Sequence, residues 1–137
     1  MRILVCGGRD YDDEIVLYAT LDVIHENRPV TRLIHGAARG ADSLAAAWAK
    51  SRGVPTLAFP AHWWRDGRAA GFLRNARMLR DGRPELVVAF PGGKGTAHMV
   101  GLARDAGVPL LEVAPPPAGR RGGPISPVGM SGATGKE

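Results

Sequence analysis

Five short apolar segments alternating with four helical ones predict an α/β fold: a Rossmann-like, doubly wound domain whose mostly parallel five-stranded sheet carries helices on both faces. Three observations predict it. The apolar runs are only four to six residues long, the length of buried strands. Glycine or proline follows most of them. The stretches between them repeat their apolar residues at helical spacing.

In chain order, Arg2–Cys6 is the first strand, stopped by Gly7-Gly8. The helix over Asp12–His25 follows, with Asp12 or Asp13 as its cap and Ile15, Tyr18, Ala19, Leu21, Val23 and Ile24 as an imperfect apolar face. Arg32–His35 is the second strand and stops at Gly36. Asp42 reads as the N-cap of a helix over Ser43–Ser51, which buries Leu44, Ala45, Trp48 and Ala49 and ends at Gly53. Val54–Phe59 is the third strand, before Pro60. A helix over Ala69–Leu79 sets Phe72, Leu73, Ala76 and Leu79 on one side. Glu85–Phe90 is the fourth strand, the helix over Thr96–Ala106 follows, and Val108–Val113 is the fifth strand.

These elements make one domain over residues 1–113. Residues 114–137 are rich in proline and glycine and nearly free of bulky apolar side chains, so they are expected to be a disordered tail. One cysteine, Cys6, excludes an internal disulfide framework and is expected to be inert core. The N-terminal apolar run is too short for a signal peptide or a membrane span, so the expected setting is cytoplasmic, with no membrane partner. The formal charge is +5, of which Arg65–Arg83 alone contributes +4 and the tail +2. That distribution implies a local anion site more than a uniformly basic surface.

Ligands of such sheets bind beyond the carboxyl ends of the strands, so the turns there carry the chemistry. Three of these turns are glycine-rich: Gly7-Gly8-Arg9-Asp10, Gly36-Ala37-Ala38-Arg39-Gly40-Ala41-Asp42 and Pro91-Gly92-Gly93-Lys94-Gly95-Thr96. The third combines a backbone nest, a hydroxyl and a helix start, a combination suited to phosphate. It has neither the Walker A spacing nor Gly-x-Gly-x-x-Gly, and a ligand-free tight turn is its alternative reading. Arg9 and Arg39 sit where a guanidinium can fork onto phosphate or instead pair with Asp10 or Asp42. Arg74, beside the small Ala69-Ala70-Gly71, is the candidate for a further anion contact, whereas Arg77, Arg80 and Arg83 read as surface. Trp63 and Trp64 can stack on a base or close an interface. His35, His62 and His98 are too scattered for a metal site, and no nucleophile motif occurs.

Gly7-Gly8-Arg9-Asp10-Tyr11, His35 to Asp42, Ala70-Gly71-Phe72-Leu73-Arg74-Asn75 and Ala89 to Thr96 together resemble the YspA/YpsA-related branch of the SLOG superfamily over nearly all of residues 1–113. The resemblance implies a Rossmann-like fold and a nucleotide or nucleotide-derived ligand, with no defined reaction. The Lonely Guy phosphoribohydrolases are more distant relatives, with an Arg-Lys pair on a helix and then Pro-Gly-Gly-x-Gly-Thr-x-x-Glu. Arg74 matches their arginine and residues 91–96 their loop, but Asn75 replaces the lysine and Met99 stands where the glutamate would be. Met99 cannot handle a proton or stabilise an oxocarbenium-like centre.

The expected function is therefore nucleotide binding, as a sensor or, if another acid serves, in catalysis. Gly7, Gly8, Arg9, Gly36, Arg39, Arg74, Gly92, Gly93, Gly95 and Thr96 are the ligand-binding candidates, with no metal and no required cofactor. Asp10 and Asp42, with Glu14 behind them, are the candidates for an acid/base in the alternative reading, an N-glycosidic hydrolase acting on nucleotides. A third reading, a single-stranded nucleic-acid binder, draws on the arginine-rich segment and on similarity to the DprA recombination mediator. Self-association through Trp63 or Trp64 is a further expectation.

Overall fold

The computed structural model describes residues 1–116, so all but the first three residues of the expected tail lie outside the described residues. The strands are β1 (Arg2–Cys6), β2 (Arg32–His35), β3 (Thr56–Ala58), β4 (Leu86–Ala89) and β5 (Leu110–Glu112). The helices are α1 (Glu14–Asn27), α2 (Ala41–Ser51), the one-turn α3 (Trp63–Asp66), α4 (Ala70–Gly82) and α5 (Lys94–Asp105), with a 3-10 turn over Gly67–Ala69. The sheet runs β3-β2-β1-β4-β5 and every pair is parallel, so the expected α/β, Rossmann-like architecture is present.

Alternation along the central strands divides the core in two. Ile3 and Val5 of β1 face α1 and α2 and join Leu17, Leu21, Ala45 and Trp48. Leu4 and Cys6 face α4 and α5 and join Met78, Met99, Val100 and Ala103. Trp48 is fully buried, and its indole N–H donates to Asp22 Oδ1 at 2.8 Å. Arg52 grips the same carboxylate through Nε and Nη2 at 2.9 and 2.7 Å, tying α1 to the end of α2. Hydrogen bonds from Arg52 and Trp48 pull the Asp22 carboxyl down to about 2.

Several helical details differ from the sequence reading. Asp13 caps α1 as expected, accepting from Val16 N at 3.1 Å. The buried face of α1 is Leu17 and Leu21, while Ile15 and Val23 point outward. On α4 the expected face is only partly buried: Leu79 packs against the core, but Ala76 is exposed, Phe72 and Leu73 are about half exposed, and Ala70, Asn75, Met78 and Gly82 take the buried positions. Asn75 turns inward because the cavity edge and the α5 loop offer it hydrogen-bond partners. Asp42 does not cap α2. Gly40 is the N-cap, and Asp42 lies in the first turn of the helix.

The strand order places the site. From β1 the chain winds outward through β2 and β3, and it then resumes at β4 on the other side of β1. The carboxyl ends of β1 and β4 therefore flank the point where the winding reverses, where open α/β sheets form a crevice.

Candidate functional site

The three glycine turns lock together at that point. Gly8 N–H donates to Pro91 O at 2.9 Å, joining the turns after β1 and β4, and Ala41 N–H donates to Gly8 O at 3.1 Å, joining the turn after β2. Two glycines make the approach possible. Gly40, at φ +77°, has Gly8 O only 2.2 Å from where a Cβ would lie. A Cβ on Gly92 would meet Thr96 Oγ1 at 2.2 Å and Gly8 N at 2.6 Å.

These turns and α4 enclose a cavity of about 380 Å³. Of the expected ligand-binding residues, Gly7, Gly8, Arg9, Arg74, Gly93, Gly95 and Thr96 line it. A second cavity, also of about 380 Å³, is lined by Gly36 and Arg39 together with Arg9 and Arg74. Gly92 lines neither: it is the packing point between two turns. Unlike Gly92, both Gly93 and Gly95 have no atom within 4 Å of a built Cβ, so packing does not require a glycine at either position.

The N-terminus of α5 opens into the first cavity. Gly93, its N-cap, has no side chain to cap with, and the first bond of the helix is Ala97 N–H to Gly93 O at 3.0 Å. The N–H groups of Lys94, Gly95 and Thr96 thus have no acceptor inside the helix, where the helix dipole is positive.

Arg74 is held against the turn after β2. Its Nη1 donates to Gly36 O at 2.5 Å and its Nε to Asn75 Oδ1 at 3.0 Å. A Cβ at residue 36 would fall 2.5 Å from Nη1, so this placement depends on Gly36. Burial holds the guanidinium pKa below its ordinary value, while Asp42 opposes that shift. Asn75, which is 4% exposed, completes the network: its amide donates to Gly95 O at 3.1 Å and contacts His98 Nδ1 at 3.2 Å. Phe72 covers the His98 ring at a centroid distance of 4.4 Å. Asn75 thereby couples Arg74 to the start of α5. Its position directly after Arg74 was the signal in the sequence, but its partners are about twenty residues away.

Asp42 is 6% exposed and lines the first cavity. Its Oδ2 accepts from Gly36 N at 3.0 Å and Ala38 N at 3.2 Å, closing the turn after β2. Burial pushes its pKa up to about 6, against the opposing pull of those N–H groups, Arg74 and Arg9. Asp10 is 95% exposed, pairs with Arg39 at 3.3 Å and lines neither cavity. Arg9 instead stacks on Trp63, 5.1 Å from the ring centroid. Trp64 is 98% exposed. Cys6 lies on the cavity floor, and burial pushes its thiol up to about 12. Met99 is fully buried between sheet and helix and does not line the cavity.

The arrangement has a distinct charge pattern. Arg9, Arg68, Arg74 and Lys94 line the first cavity, and none forms a salt bridge among the described residues. Arg2, Arg28, Arg52, Arg65, Arg80 and Arg104 are each paired with a carboxylate away from that cavity. Lys94 and Arg68 are site residues that the sequence reading did not single out. Lys94 lay in plain view inside the third glycine turn.

The profile of the YspA, cpYpsA-related SLOG family matches residues 1–65, which span the first two glycine turns. The Gene 61 protein of Mycobacterium phage D29 is 35% identical over 118 residues, covering 80% of this chain and 94% of that relative. The chain belongs to this SLOG family. Membership points to a nucleotide-related function in broad terms. Among the described residues, no helix is long and apolar enough to cross a membrane.

Proposed function

We propose that this SLOG-family protein binds a nucleotide or nucleotide-derived ligand in the first cavity and acts as its sensor. The observation that carries the reading is the set of four cations, Arg9, Arg68, Arg74 and Lys94, that line one cavity without carboxylate partners. Arg9, Arg68 and Lys94 are exposed and only Arg74 is half-buried, so these cations gather positive potential at one opening, with Asp42 the single carboxylate in the lining, and that potential attracts an anionic ligand. In this reading, phosphate sits on the N–H groups of Lys94, Gly95 and Thr96, with Gly93 and Gly95 leaving room for its oxygens. Arg74 supplies a guanidinium already fixed by Gly36 and Asn75. Trp63 and Phe72 offer apolar surface for the rest of the ligand. Thermal-shift screening against nucleoside mono- and diphosphates tests this. The reading requires at least one to raise the melting temperature of the wild-type protein and not that of a Lys94→Ala, Arg74→Ala variant.

A second reading, cleavage of a nucleotide N-glycosidic bond, is favoured by Asp42. This carboxyl group is buried at the cavity wall with a pKa of about 6, a suitable range for proton transfer near neutrality. Base release from a panel of nucleoside monophosphates tests it, with loss of activity expected in Asp42→Asn. Single-stranded nucleic-acid binding ranks behind both, because the four cations line a cavity of small-molecule size.

A further inference from the structure

We infer that copies of this chain associate head to tail, the outer side of α1 on one copy seating on the α3–α4 surface of the next. Two groups of exposed apolar side chains motivate this contact. On α1, Ile15 is 83% exposed and Val23 56%, and Ala19 between them is exposed as well. These three recur every four residues and so share one side of the helix, while Leu17 and Leu21 turn to the core. A solvated helix gains nothing from Ile or Val at such positions, where Glu, Lys or Gln has the higher helix propensity. On the other surface, Trp64 of α3 is 98% exposed, Leu73 of α4 is about half exposed, and Ala76 is exposed one turn further along. Trp64, Leu73 and Ala76 line neither cavity.

Charge decides which surface meets which. Residues 12–27 hold five acidic side chains and no lysine or arginine. Asp12 and Glu14 border the α1 stripe at one end and Glu26 at the other; all three are exposed, and none forms a salt bridge among the described residues. Residues 63–83 carry six arginines against two aspartates, a balance of +4. Arg77 follows Leu73 by one turn and Arg80 follows Ala76 by one turn, so the apolar residues of α4 have cations beside them. Either surface pressed on its own copy brings like charges together, whereas α1 against α4 brings opposite charges together.

The fold makes the contact directional. Leu17 and Leu21 of α1 pack on the sheet face that holds Ile3 and Val5, and Met78 of α4 packs on the face that holds Leu4 and Cys6. The two surfaces therefore lie on opposite sides of the sheet. A contact between unlike surfaces is heterologous: a dimer still presents one free surface of each kind, and assembly continues to a ring or an open chain. The apolar part of each surface is small beside the ~20–30 residues a side of a standard interface, so the contact is weak and builds with concentration.

Sedimentation velocity of the full chain, from micromolar to submillimolar concentration and at low and high salt, tests the inference. The expected result is species larger than a dimer, whose formation weakens several-fold from low to high salt. Ile15→Gln, Val23→Gln disables the α1 surface alone, and Trp64→Gln, Leu73→Gln the α4 surface alone, all at exposed positions. Each double variant is expected to be monomeric by itself, and an equimolar mixture to form a one-to-one dimer that grows no further, because one intact surface of each kind remains. Should a double variant fail to fold, Glu14→Lys, Glu26→Lys replaces the first and Trp64→Gln alone the second, with the same pattern expected. Growth that stops at a dimer, association unchanged by salt, or a mixture no larger than its components overturns the inference. A monomer at every concentration also overturns it and leaves the surfaces to other partners, a basic one at α1 and an acidic one at α4.

Discussion

Replacing Asp42 by asparagine removes one pH-dependent contribution to the native protein's stability, and the direction of that contribution follows from burial. The carboxyl pKa rises from its ordinary value of 3.8 to about 6 in the folded protein, so the native state binds this proton more tightly than the unfolded chain does. At about 1.36 kcal/mol per pH unit, the difference corresponds to ~3 kcal/mol. That amount is a cost of folding with Asp42 ionised: present in full above pH 6, it shrinks as pH falls through 6 and is gone below 3.8. His35 works the opposite way. Burial lowers its pKa from 6.5, so it removes stability as pH falls below that value, in wild type and variant alike. Asparagine keeps an acceptor for the Gly36 and Ala38 N–H groups and has no proton to exchange. Urea denaturation at pH 4.5, 5.5, 6.5 and 8 should show Asp42→Asn gaining on wild type as pH rises, by about 2 kcal/mol across the window. Asp42→Ala should lie about 1–3 kcal/mol below Asp42→Asn at every pH, because two N–H groups are left without their acceptor. Parallel wild-type and Asp42→Asn curves would refute the argument that a buried, cavity-facing carboxyl has its pKa raised.

Three further outcomes follow from the same geometry. Gly92→Ala should destabilise the protein by about 2–3 kcal/mol in chemical denaturation, since its methyl group meets Thr96 Oγ1 and the Gly8 backbone within 2.6 Å; a neutral result would mean that the turns are not interlocked. Gly95→Ala should raise stability by about 0.5 kcal/mol, because its methyl group meets open space, yet weaken nucleotide binding several-fold; unchanged affinity would separate the helix start from the ligand. Cys6, with its thiol pushed to about 12, should be about one part in ten thousand thiolate at pH 8, so iodoacetamide should label it only as fast as the chain unfolds; prompt labelling of the native protein contradicts that.

The sheet and its glycine turns were legible because their signals are local. Short apolar runs and turn glycines encode backbone conformation directly, and β1 and β2 fall where the runs place them. Helix faces were less legible. On α4, Phe72 and Leu73 fit the spacing of a buried stripe, but Asn75 takes the inward position because Gly95 and His98, distant in sequence, give it partners. The role of Asp42 was missed for the same reason. A helix-start aspartate reads as a cap, and only the folded turn brings Gly36 N and Ala38 N onto its Oδ2. Arg74 was identified by its surroundings in the sequence, but the Gly36 carbonyl that fixes it was not. The short α3, with Trp63 stacked beneath Arg9, has no capping signal and went unread.

The most direct measurement is calorimetric titration of nucleotides into the wild-type protein and into a variant carrying Lys94→Ala and Arg9→Ala. Neither residue makes a side-chain salt bridge among the described residues, so their removal leaves the network around Arg74 and Asn75 in place. The predicted result is saturable binding of at least one nucleotide by wild type, weakened by about tenfold or more in the folded variant. No nucleotide binding to folded wild type, or binding of equal strength in the two proteins, contradicts an anion site at this sheet edge.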